Sequence, residues 1–486
     1  MLCDKILFAS GSSGLGVKLM NVVEQIRPFL EPKSVALVGL SRRTGVESFS
    51  VLESMLETGY KGELYPVNPK ANDILGVKAY SSVGDLPDGI DLAVILTPRE
   101  IVPEMVRACG EKGIESVVII GQGFADGIDD EGKRLQEDIV NIAKENGVRV
   151  VGPNTIGSAN AFFNFTLSFA RPFNMEKIPV GLISQSGLFF GKIGELNMIG
   201  KGIDIGNGCD VDQADCLEYF EADQDIKVIA LHIEGIKNGK RFMQVARRVA
   251  RKKPIVVLKT GRTQKSAKAA QSHTGSIIGD DEVWDAVIKQ CGLIRVDSID
   301  EMSDLLKFFS YMPVIQGRGV GIVSFSGGLG IHSIDSCEKY GLKIVELSPE
   351  ARQNIVDLAP PWLGVGNPLD LWPVIMVSRH PIGEAFRDSL HIVMKDQNVN
   401  VAILVLAAWM ERITPSLTDI LIEVAEAFPN KAMVLCPYEG WVYNVFIDEL
   451  EEKLQKTGKM LVLPASDRAA RALGRAAEYS EFLKYG

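Results

Sequence analysis

One histidine of this chain stands among small hydroxyl residues and glycines. His273 lies between Ser272 and Thr274, with Gly275 and Gly279 close by, and the chain has only 5 histidines. From the residues, three uses are open: a buried core histidine, a proton-transfer catalyst, or a histidine that carries a phosphoryl group. A core imidazole would lie within an apolar periodic run, and no cysteine or histidine stands at metal-ligand spacing. The pattern therefore favours nucleophilic use of the imidazole.

A nucleophilic imidazole needs a carboxylate that orients the ring and stabilises its charge. Glu234 ends the apolar run KVIALHIEG, which has the length of a buried strand. Because the carboxyl ends of parallel strands face the ligand in open α/β sheets, Glu234 is the candidate. An ordinary surface carboxylate at a strand end is the alternative. His232, in the same run, is predicted to be a core residue.

Two loops of serine and glycine could bind small anions. Ser186 and Gly187 end the run VGLISQSG, and Ser326, Gly327 and Gly328 end the run VGIVSFSGG. A loop of this kind before a helix presents free backbone N–H groups and the positive end of the helix dipole. The two loops could converge on one anion, and a phosphorylated histidine would be such an anion.

Three cations follow predicted strands near the start of the chain. Arg42 and Arg43 come after the run SVALVGL, and Lys70 ends ELYPVNPK. A site for NAD would have a carboxylate in place of Lys70, whereas a lysine suits a phosphate. These residues favour a polyphosphorylated nucleotide such as coenzyme A, and solvated surface charges are the alternative. Residues 11–16, GSSGLG, resemble a dinucleotide fingerprint but lack its strand and its acidic residue.

Short apolar runs alternate with helical patterns along all 486 residues. This alternation predicts an α/β protein of parallel sheets with helices on both faces. We place domain boundaries near residues 160 and 312. The last two units align without a gap around their Ser–Gly loops, which predicts one unit present twice; chance similarity of two α/β domains is the alternative.

Composition excludes several classes of function. The formal net charge of −10 argues against a nucleic-acid partner. No apolar run reaches the roughly 18 residues that a membrane span needs. The first residues lack the pattern of a secretory signal, and the 7 scattered cysteines fit reduced thiols. We expect a cytoplasmic protein.

The chain resembles the α subunits of NDP-forming acyl-CoA synthetases, the ADP-forming acetate–CoA ligases related to succinyl-CoA synthetase. The resemblance runs from about residue 30 to the last residue and rests on PKSVALVGLS, YPVNPK, GPN, ISQSG, GNGCDVD, IEG, SHTGS and NPLD, in the family's order. The most specific motif is SHTGS after KTGRT. Residues 1–29 have no recognised counterpart.

The resemblance implies a domain for each part of the chain. After an N-terminal extension over 1–29, a Rossmann-like CoA-binding domain covers 30–160. Two flavodoxin-like domains of the succinyl-CoA synthetase type follow over 161–311 and 312–486, and the first of them carries the phosphohistidine loop.

The resemblance also assigns site residues. The family's phosphohistidine falls on His273, its carboxylate on Glu234, and the asparagine near its acyl site on Asn154. The two helix ends that stabilise the phosphohistidine fall on Ser186 and Gly187 and on Ser326, Gly327 and Gly328. Its coenzyme A site falls on Gly39, Ser41, Arg42, Lys70, Thr97, Pro98 and Gly121.

The implied reaction reversibly converts acyl-CoA, phosphate and ADP (or GDP) to a carboxylic acid, coenzyme A and ATP (or GTP). In this family an ATP-grasp module binds the nucleotide with Mg²⁺, and the three units leave no segment for one. We therefore expect a separate β subunit, in a hetero-oligomer of two α and two β subunits. No metal site is expected in this chain itself.

Two departures from the family leave the acyl group open. Phe189 and Phe190 replace smaller residues, and the stretch NAFFNFTLSF is aromatic near the expected acyl pocket; core packing explains them equally well. Two other functions remain as alternatives. One is a non-catalytic, CoA-binding regulatory or scaffold subunit, and the other is an NAD-dependent dehydrogenase built on residues 11–16.

Overall fold

The computed structural model describes residues 21–43, 50–168, 176–195, 197–263, 265–266, 281–377, 380–407, 417–438, 450–454, 457–458 and 460–486. Three predictions fall outside these ranges: the loop of His273, the glycine-rich residues 11–16, and the end of the aromatic stretch at Phe169. Within the described ranges, the chain forms three larger sheets, wholly or mostly parallel and flanked by helices, and one small antiparallel hairpin.

The first sheet contains only parallel strands, in the order β2-β1-β5-β6-β7. The strands of this part of the chain are β1 (Ser34–Val38), β2 (Glu63–Val67), the hairpin β3 (Asp73–Ile74) and β4 (Val77–Lys78), β5 (Leu92–Ile95), β6 (Ser116–Ile119) and β7 (Arg149–Val151). The helices are α1 (Val22–Leu30), α2 (Val51–Glu57), α3 (Val102–Glu111) and α4 (Asp130–Glu145). The central strands are apolar and fully buried, as expected for a sheet covered on both faces.

The second sheet has the order β14-β13-β12-β10-β11-β8-β9, and its last two strands are antiparallel. Its strands are β8 (Ser158–Asn160), β9 (Phe165–Thr166), β10 (Val180–Ser184), β11 (Lys201–Asp204), β12 (Val228–Ile233), β13 (Ile255–Lys259) and β14 (Ile294–Val296). Its helices are α5 (Gly187–Glu195), α6 (Gln213–Ala222), α7 (Gly239–Ala250), α8 (Asp281–Cys291) and α9 (Ile299–Tyr311).

The third sheet has the order β16-β15-β18-β19-β20, and β17 also pairs with β15. Its strands are β15 (Gly319–Ser324), β16 (Lys343–Ile344), β17 (Leu369–Asp370), β18 (Val401–Ala407), β19 (Ala432–Tyr438) and β20 (Met460–Val462). Its helices are α10 (Gly327–Lys339), α11 (Pro349–Leu358), α12 (Leu371–Val377), α13 (Ile382–Lys395), α14 (Leu417–Ala427) and α15 (Ser466–Tyr485).

The parallel strands of all three sheets follow one winding path. In each, the chain starts in an inner strand (β1, β10 or β15), moves to one neighbour and then crosses to the other side; in the second sheet, the antiparallel β8 and β9 precede this path at one edge. The winding reverses between β1 and β5, between β10 and β12, and between β15 and β18. In open α/β sheets, ligands bind outside the carboxyl ends of the strands at such a switch point. The fold therefore offers three candidate sites, one for each sheet, and the predicted α/β class is confirmed.

The second and third sheets share one hydrophobic core. Helix α9 packs on β12 and β13 of the second sheet, on β20 of the third and on α15. The buried carboxylate of Asp304 on α9 accepts two hydrogen bonds from Arg468 on α15, at 2.6 and 2.8 Å. Nowhere in the described ranges is a helix both long enough and apolar enough to cross a membrane.

Helix α1 ties the predicted N-terminal extension to the second sheet. The carbonyl oxygen of Leu30 accepts a hydrogen bond from the Asn160 side chain at 3.0 Å. Glu31, just after the helix, accepts hydrogen bonds from Lys201 at 2.9 Å and from Tyr219 at 2.7 Å. Residues 22–29 of the extension thus belong to the folded core, which the sequence did not suggest.

Candidate functional site

The switch point of the second sheet is held by a glutamine. Gln185 follows β10, and its Oε1 accepts hydrogen bonds from the backbone N–H groups of Glu234, at 2.7 Å, and Gly235, at 3.1 Å. Gln185 and Glu234 are both buried, with 6% and 8% of their surface exposed. Glu234, the carboxylate predicted from the sequence, therefore directly follows β12 and lies beside the Ser–Gly loop.

Ser184 fixes the shape of that loop. Its Oγ donates to the carbonyl oxygen of Ser186 at 2.9 Å and accepts from the Ser186 N–H at 3.0 Å. Helix α5 begins at Gly187, and the N–H of Phe190 donates to the Ser186 carbonyl at 2.9 Å. Both the N–H and the carbonyl oxygen of Ser186, just before the helix, are therefore hydrogen-bonded.

A second buried carboxylate lies under the start of α5. Asp204 ends β11 and has 0% exposure. Its Oδ2 accepts a hydrogen bond from the N–H of Ile156 at 2.9 Å and lies 3.1 Å from the hydroxyl of Thr155, which donates to both this oxygen and the backbone carbonyl of Asp204. Burial raises the pKa of Asp204 to about 6; these hydrogen bonds oppose the shift, and the charge of Glu234 adds to it.

Beneath the loop lies a layer of buried side chains around His232. The ring of Phe189 stacks on His232 at 4.4 Å between centroids, and Nε2 of His232 lies 3.2 Å from the hydroxyl of Thr260. Burial and the charge of Lys259 lower the pKa of His232 to about 4, so the imidazole is neutral. The prediction that His232 is a core residue is confirmed. Phe189 and Phe190 are buried as well, which supports core packing over an acyl pocket.

Lys259 is a buried cation at the end of β13, next to this layer. Its ammonium group lies 5.5 Å from the ring centroid of Trp284 and donates to the carbonyl of Thr260. Burial lowers the pKa of Lys259 to about 8, and the charges of Asp281 and Glu234 oppose the shift. The ammonium group of Lys259 therefore loses its proton more readily than that of an exposed lysine.

At the switch point of the first sheet, Gly39 and Thr97 are in contact. A Cβ built on Gly39, whose φ is +82°, would lie 2.5 Å from Cγ2 of Thr97, so only glycine fits. The Thr97 hydroxyl is buried and has no hydrogen-bond partner among the described residues. A close backbone approach beside such a hydroxyl fits a ligand such as coenzyme A. Pro98 directly follows Thr97 and is exposed.

The cations of the first domain lie on neighbouring loops. The side-chain amide of Asn68 donates to the carbonyl of Leu40 at 2.8 Å, and its Oδ1 accepts from the N–H of Lys70 at 2.8 Å. Arg42 donates to the carbonyl of Lys70 at 3.4 Å. Both cations are exposed at the edge that carries Gly39, and Ser41 in the same loop accepts from the N–H that follows Arg42. The structure thus brings the predicted phosphate-binding cations together.

The loop after β7 joins the first domain to the second. The N–H of Asn154, whose φ is +61°, donates to the carbonyl of Gly121 at 2.8 Å. The amide of Asn207, in the loop after β11, donates to Asp126 at 2.8 Å and to Gln136 at 3.0 Å. Asn154 therefore stands between the edge of the first sheet and the segment that carries Asp204.

The Ser–Gly loop of the third sheet repeats the frame of the second. Oγ of Ser324 donates to the Ser326 carbonyl at 2.7 Å and accepts from its N–H at 3.2 Å. A Cβ on Gly327 would lie 3.1 Å from Oδ2 of Asp370, whereas one on Gly328 would meet nothing closer than 3.9 Å. These contacts lie within the third domain, and convergence of the two loops on one anion stays a prediction.

The turn at Phe162 and Phe163 lies away from this edge. Strands β8 and β11 are antiparallel, with Asn160 opposite Lys201 and Ser158 opposite Ile203. The turn after Asn160 is thus at the amino end of β11, whereas Asp204 is at its carboxyl end. The expectation that these phenylalanines lie near Asn154 and the acyl site is wrong, because an antiparallel strand carries them to the opposite end of the sheet.

Three polar residues of this region were not proposed from the sequence. Gln185 lies inside the motif ISQSG, but nothing in that motif shows that its amide bonds the backbone after β12. Asp204 is the last residue of a buried strand, a signal that could have found it. Asn207 joins two loops far apart in sequence, and no local pattern shows that. Within the described ranges, no three His, Cys, Asp or Glu side chains cluster to hold a metal.

Comparison with known proteins identifies the family. The model of a CoA binding domain matches residues 33–161, and that of a succinyl-CoA ligase like flavodoxin domain matches residues 177–309. The α subunit of acetate–CoA ligase (ADP-forming) I of Pyrococcus furiosus is 34% identical over 469 residues, covering 94% of this chain and 98% of that subunit. The chain belongs to the family of ADP-forming acetate–CoA ligases.

Relatives in this ligase family differ in length. Acetate–CoA ligase (ADP-forming) II of Archaeoglobus fulgidus is 38% identical over 398 residues, which cover 80% of this chain and 58% of that enzyme. The Methanocaldococcus jannaschii enzyme is 39% identical, and the match covers 70% of this chain and 48% of the enzyme. The chain thus spans about half the length of these two relatives and nearly all of the Pyrococcus subunit.

Solved structures show the same architecture. A dinucleotide-forming acetyl-coenzyme A synthetase 1 of Candidatus Korarchaeum cryptofilum, in complex with phosphate and ADP, matches with a TM-score of 0.83 at 27% identity, over 95% of this chain and 98% of that one. A Pyrococcus horikoshii protein, PH0766, matches with a TM-score of 0.78 at 30% identity, over 94% and 99% of the two chains. The predicted resemblance to this family is confirmed.

Proposed function

We propose that this chain is the α subunit of an NDP-forming acyl-CoA synthetase, in which His273 carries a phosphoryl group between an acyl phosphate and a nucleoside diphosphate. An oxygen of inorganic phosphate attacks the thioester carbonyl, the C–S bond breaks, and coenzyme A leaves as a thiolate that takes up a proton. The imidazole of His273 then attacks phosphorus, and the P–O bond to the acyl group breaks to release the carboxylic acid. All steps are reversible.

The position of Glu234 is the observation that carries this proposal. Glu234 is buried at a topological switch point, fixed by Gln185, and stands beside the helix end at Ser186. A carboxylate there stabilises the positive imidazole and sets its orientation. The N–H groups at the start of α5 stabilise the phosphoryl oxygens. We assign the same role to the helix end at Ser326, Gly327 and Gly328.

The first domain supplies the coenzyme A site of the proposal. Gly39 allows the backbone to approach the ligand closely, and the Thr97 hydroxyl is available to hydrogen-bond it. Arg42 and Lys70 suit its phosphates, since guanidinium and ammonium groups are strong donors to phosphate oxygens. Asn154 holds the acyl end of the thioester, where the first domain meets the second.

We assign the nucleotide step to a partner. Two Pyrococcus furiosus relatives of matching length are named as α subunits. An ATP-grasp β subunit would bind ADP or GDP with Mg²⁺, and the complex would contain two α and two β subunits. The purified chain should then bind coenzyme A but make no ATP from acyl-CoA, phosphate and ADP until the partner is added. Robust synthesis by the chain alone would contradict this assignment.

Phosphorylation of the histidine is the central test. Incubation with an acyl phosphate labelled in its phosphoryl group should give the chain an acid-labile, base-stable label. His273→Ala should abolish the label and the turnover. The control His391→Ala should keep both, because His391 bonds Glu423 between α13 and α14 of the third domain. Label that persists in His273→Ala would overturn the assignment of His273, and absence of label in the unsubstituted chain would favour the scaffold function.

A further inference from the structure

Asp204 connects three segments of the candidate site. Its Oδ2 accepts two hydrogen bonds from the loop after β7, through the N–H of Ile156 and the hydroxyl of Thr155. Its Oδ1 accepts one longer hydrogen bond, of 3.3 Å, from the N–H of Gly206. A Cβ on Gly187 would lie 3.6 Å from Oδ2, so the carboxyl group also faces the start of α5. Asp204 thus lies between the loop of Asn154 and the helix end of the proposed phosphate site.

The charges around this carboxyl group conflict with an incoming anion. The titratable group facing Asp204 is Glu234, at the end of β12, and its charge acts on Asp204 through a dry interior. The loops before β8 and after β11 and the start of α5 contribute the neutral groups named above. Lys259 lies on the far side of Glu234, with which its charge interacts. A phosphate dianion would be the third negative group in a space of low dielectric, where repulsion is strong.

A proton on Asp204 relieves this conflict. Oδ1 accepts only the long hydrogen bond from Gly206 among the described residues, so it can carry the proton while both hydrogen bonds to Oδ2 persist. Burial already raises the pKa of this carboxyl group to about 6, so a nearby dianion that raises it by about two further units makes the neutral form dominate at neutral pH.

We propose that Asp204 is a positioning residue that takes up a proton from solvent when a tetrahedral dianion binds beside Ser186 and Gly187. It releases that proton when the dianion leaves. Through its hydrogen bonds to Thr155 and Ile156, the same carboxyl group links the phosphate site to the loop that carries Asn154. The inference rests on the phosphate site of the proposed function, and it predicts that anion affinity falls as the pH rises.

Sulfate is the probe for this proposal, because it stays a dianion throughout the pH range of interest. The measurement is titration calorimetry of the full chain carrying His273→Asn, which removes the titration of that imidazole. Comparing two buffers of different ionisation enthalpy gives the number of protons taken up with each sulfate. If bound sulfate raises the pKa of Asp204 by about two units, we expect about 0.8 proton per sulfate near pH 7, and a Kd that rises about sixfold from pH 6.5 to 7.5.

Asp204→Asn in the same background should take up no proton, and its sulfate Kd should change less than about twofold over that pH range. Glu234→Gln should shift the pH dependence to lower pH, because it removes the charge that opposes ionisation of Asp204. Proton uptake that persists in Asp204→Asn would overturn the proposal. So would the absence of saturable sulfate binding to the His273→Asn chain at pH 6.

Thr155→Val keeps the proposal testable if Asp204→Asn does not fold. It removes one hydrogen bond to the ionised carboxylate, so the pH dependence should move to higher pH. A pH dependence identical to that of the His273→Asn chain would contradict the proposal. Because none of these measurements uses phosphorylation of His273, failure of the proposed function and failure of this inference are distinguishable.

Discussion

The two Ser–Gly loops of this protein share a backbone frame and differ in the side chains behind it. In each, a serine hydroxyl bonds both the carbonyl oxygen and the N–H of the serine two residues later: Ser184 bonds Ser186, and Ser324 bonds Ser326. In each, a helix begins at the glycine that follows. In each, an aspartate at the end of a neighbouring strand faces that glycine: Asp204 for Gly187 and Asp370 for Gly327.

The side chains at matching positions show the difference. The strand registers pair Ile183 with Leu231 and Val323 with Leu404. Counting on from these pairs, the residues of the second domain match those of the third as follows: Gln185 with Phe325, His232 with Val405 and Glu234 with Ala407.

The second domain therefore places buried polar groups behind its loop, and the third domain places apolar ones. Burying polar groups costs free energy unless each is paired, and Gln185 supplies pairing for two backbone N–H groups. In the third domain, Phe325 instead packs edge-on against Trp372 at 4.9 Å. At these matched positions the second-domain loop has polar side chains behind it, whereas the third-domain loop has apolar ones and keeps only the carboxylate of Asp370 beside its glycine.

The largest expected effect is on turnover, from Glu234→Gln. The amide cannot stabilise the positive imidazole, so turnover with the partner subunit should fall about 100-fold or more. Asp370→Asn, at a strand end of the third domain, should change turnover less than about threefold, since backbone groups serve there. A comparable loss in Asp370→Asn would show that the third domain supplies a carboxylate to the chemistry.

Two buried groups of the second domain should give opposite pH dependences of stability. The pKa of Asp204 is raised on folding to about 6, so its contribution is present at low pH and is lost as the pH rises through 6. The pKa of His232 is lowered on folding to about 4, so its contribution is present above pH 6.5 and is lost as the pH falls through 4.

In a variant that lacks one of these two groups, the pH dependence of stability should therefore show the effect of the other group. From pH 4 to 6.5, Asp204→Asn should gain roughly 3 kcal/mol of stability relative to wild type, and His232→Gln should lose a similar amount. Denaturant unfolding across this range measures the difference, and the double variant should run parallel to wild type. If stability relative to wild type changed with pH in the same direction in both single variants, the opposed pKa shifts would be contradicted.

How much of this could be predicted from the sequence differs between the two loops. Strand runs, the Ser–Gly motifs and Glu234 follow from local patterns, because parallel strands are apolar and their carboxyl ends carry the ligand groups. Gln185 and Asp204 depend on which strands become neighbours, and a single sequence does not show that. The position expected for Phe162 is wrong because β8 runs antiparallel to β11, so the turn after β8 lies at the opposite end of the sheet.

Substitution of the residue after the first serine of each loop, Gln185 or Phe325, tests whether the side chains behind the two loops differ in importance. Gln185→Leu leaves two buried N–H groups without an acceptor, at a cost of about 1–3 kcal/mol each. Turnover should fall about tenfold, because Glu234 loses the hydrogen bond that fixes its backbone. Phe325→Leu conserves apolar character and should cost about 1 kcal/mol, with turnover within about twofold of wild type. Equal losses of turnover in both variants would mean that the two loops act alike.

The smallest expected effect comes from Gly328→Ala. A methyl group there meets nothing closer than Ser326 Oγ at 3.9 Å. Because alanine favours the helix over glycine, the variant should be stabilised by about 0.5 kcal/mol. At Gly187, a Cβ would lie 2.8 Å from Cγ2 of Ile156, which packs over the loop beside Asp204. Gly187→Ala should thus be destabilised, by about 1 kcal/mol, because that contact must widen. Thermal unfolding of the two variants measures the difference. Destabilisation of both would show that the start of α10 is as closely packed as the start of α5, and that only the second-domain chemistry, not its steric fit, separates the two loops.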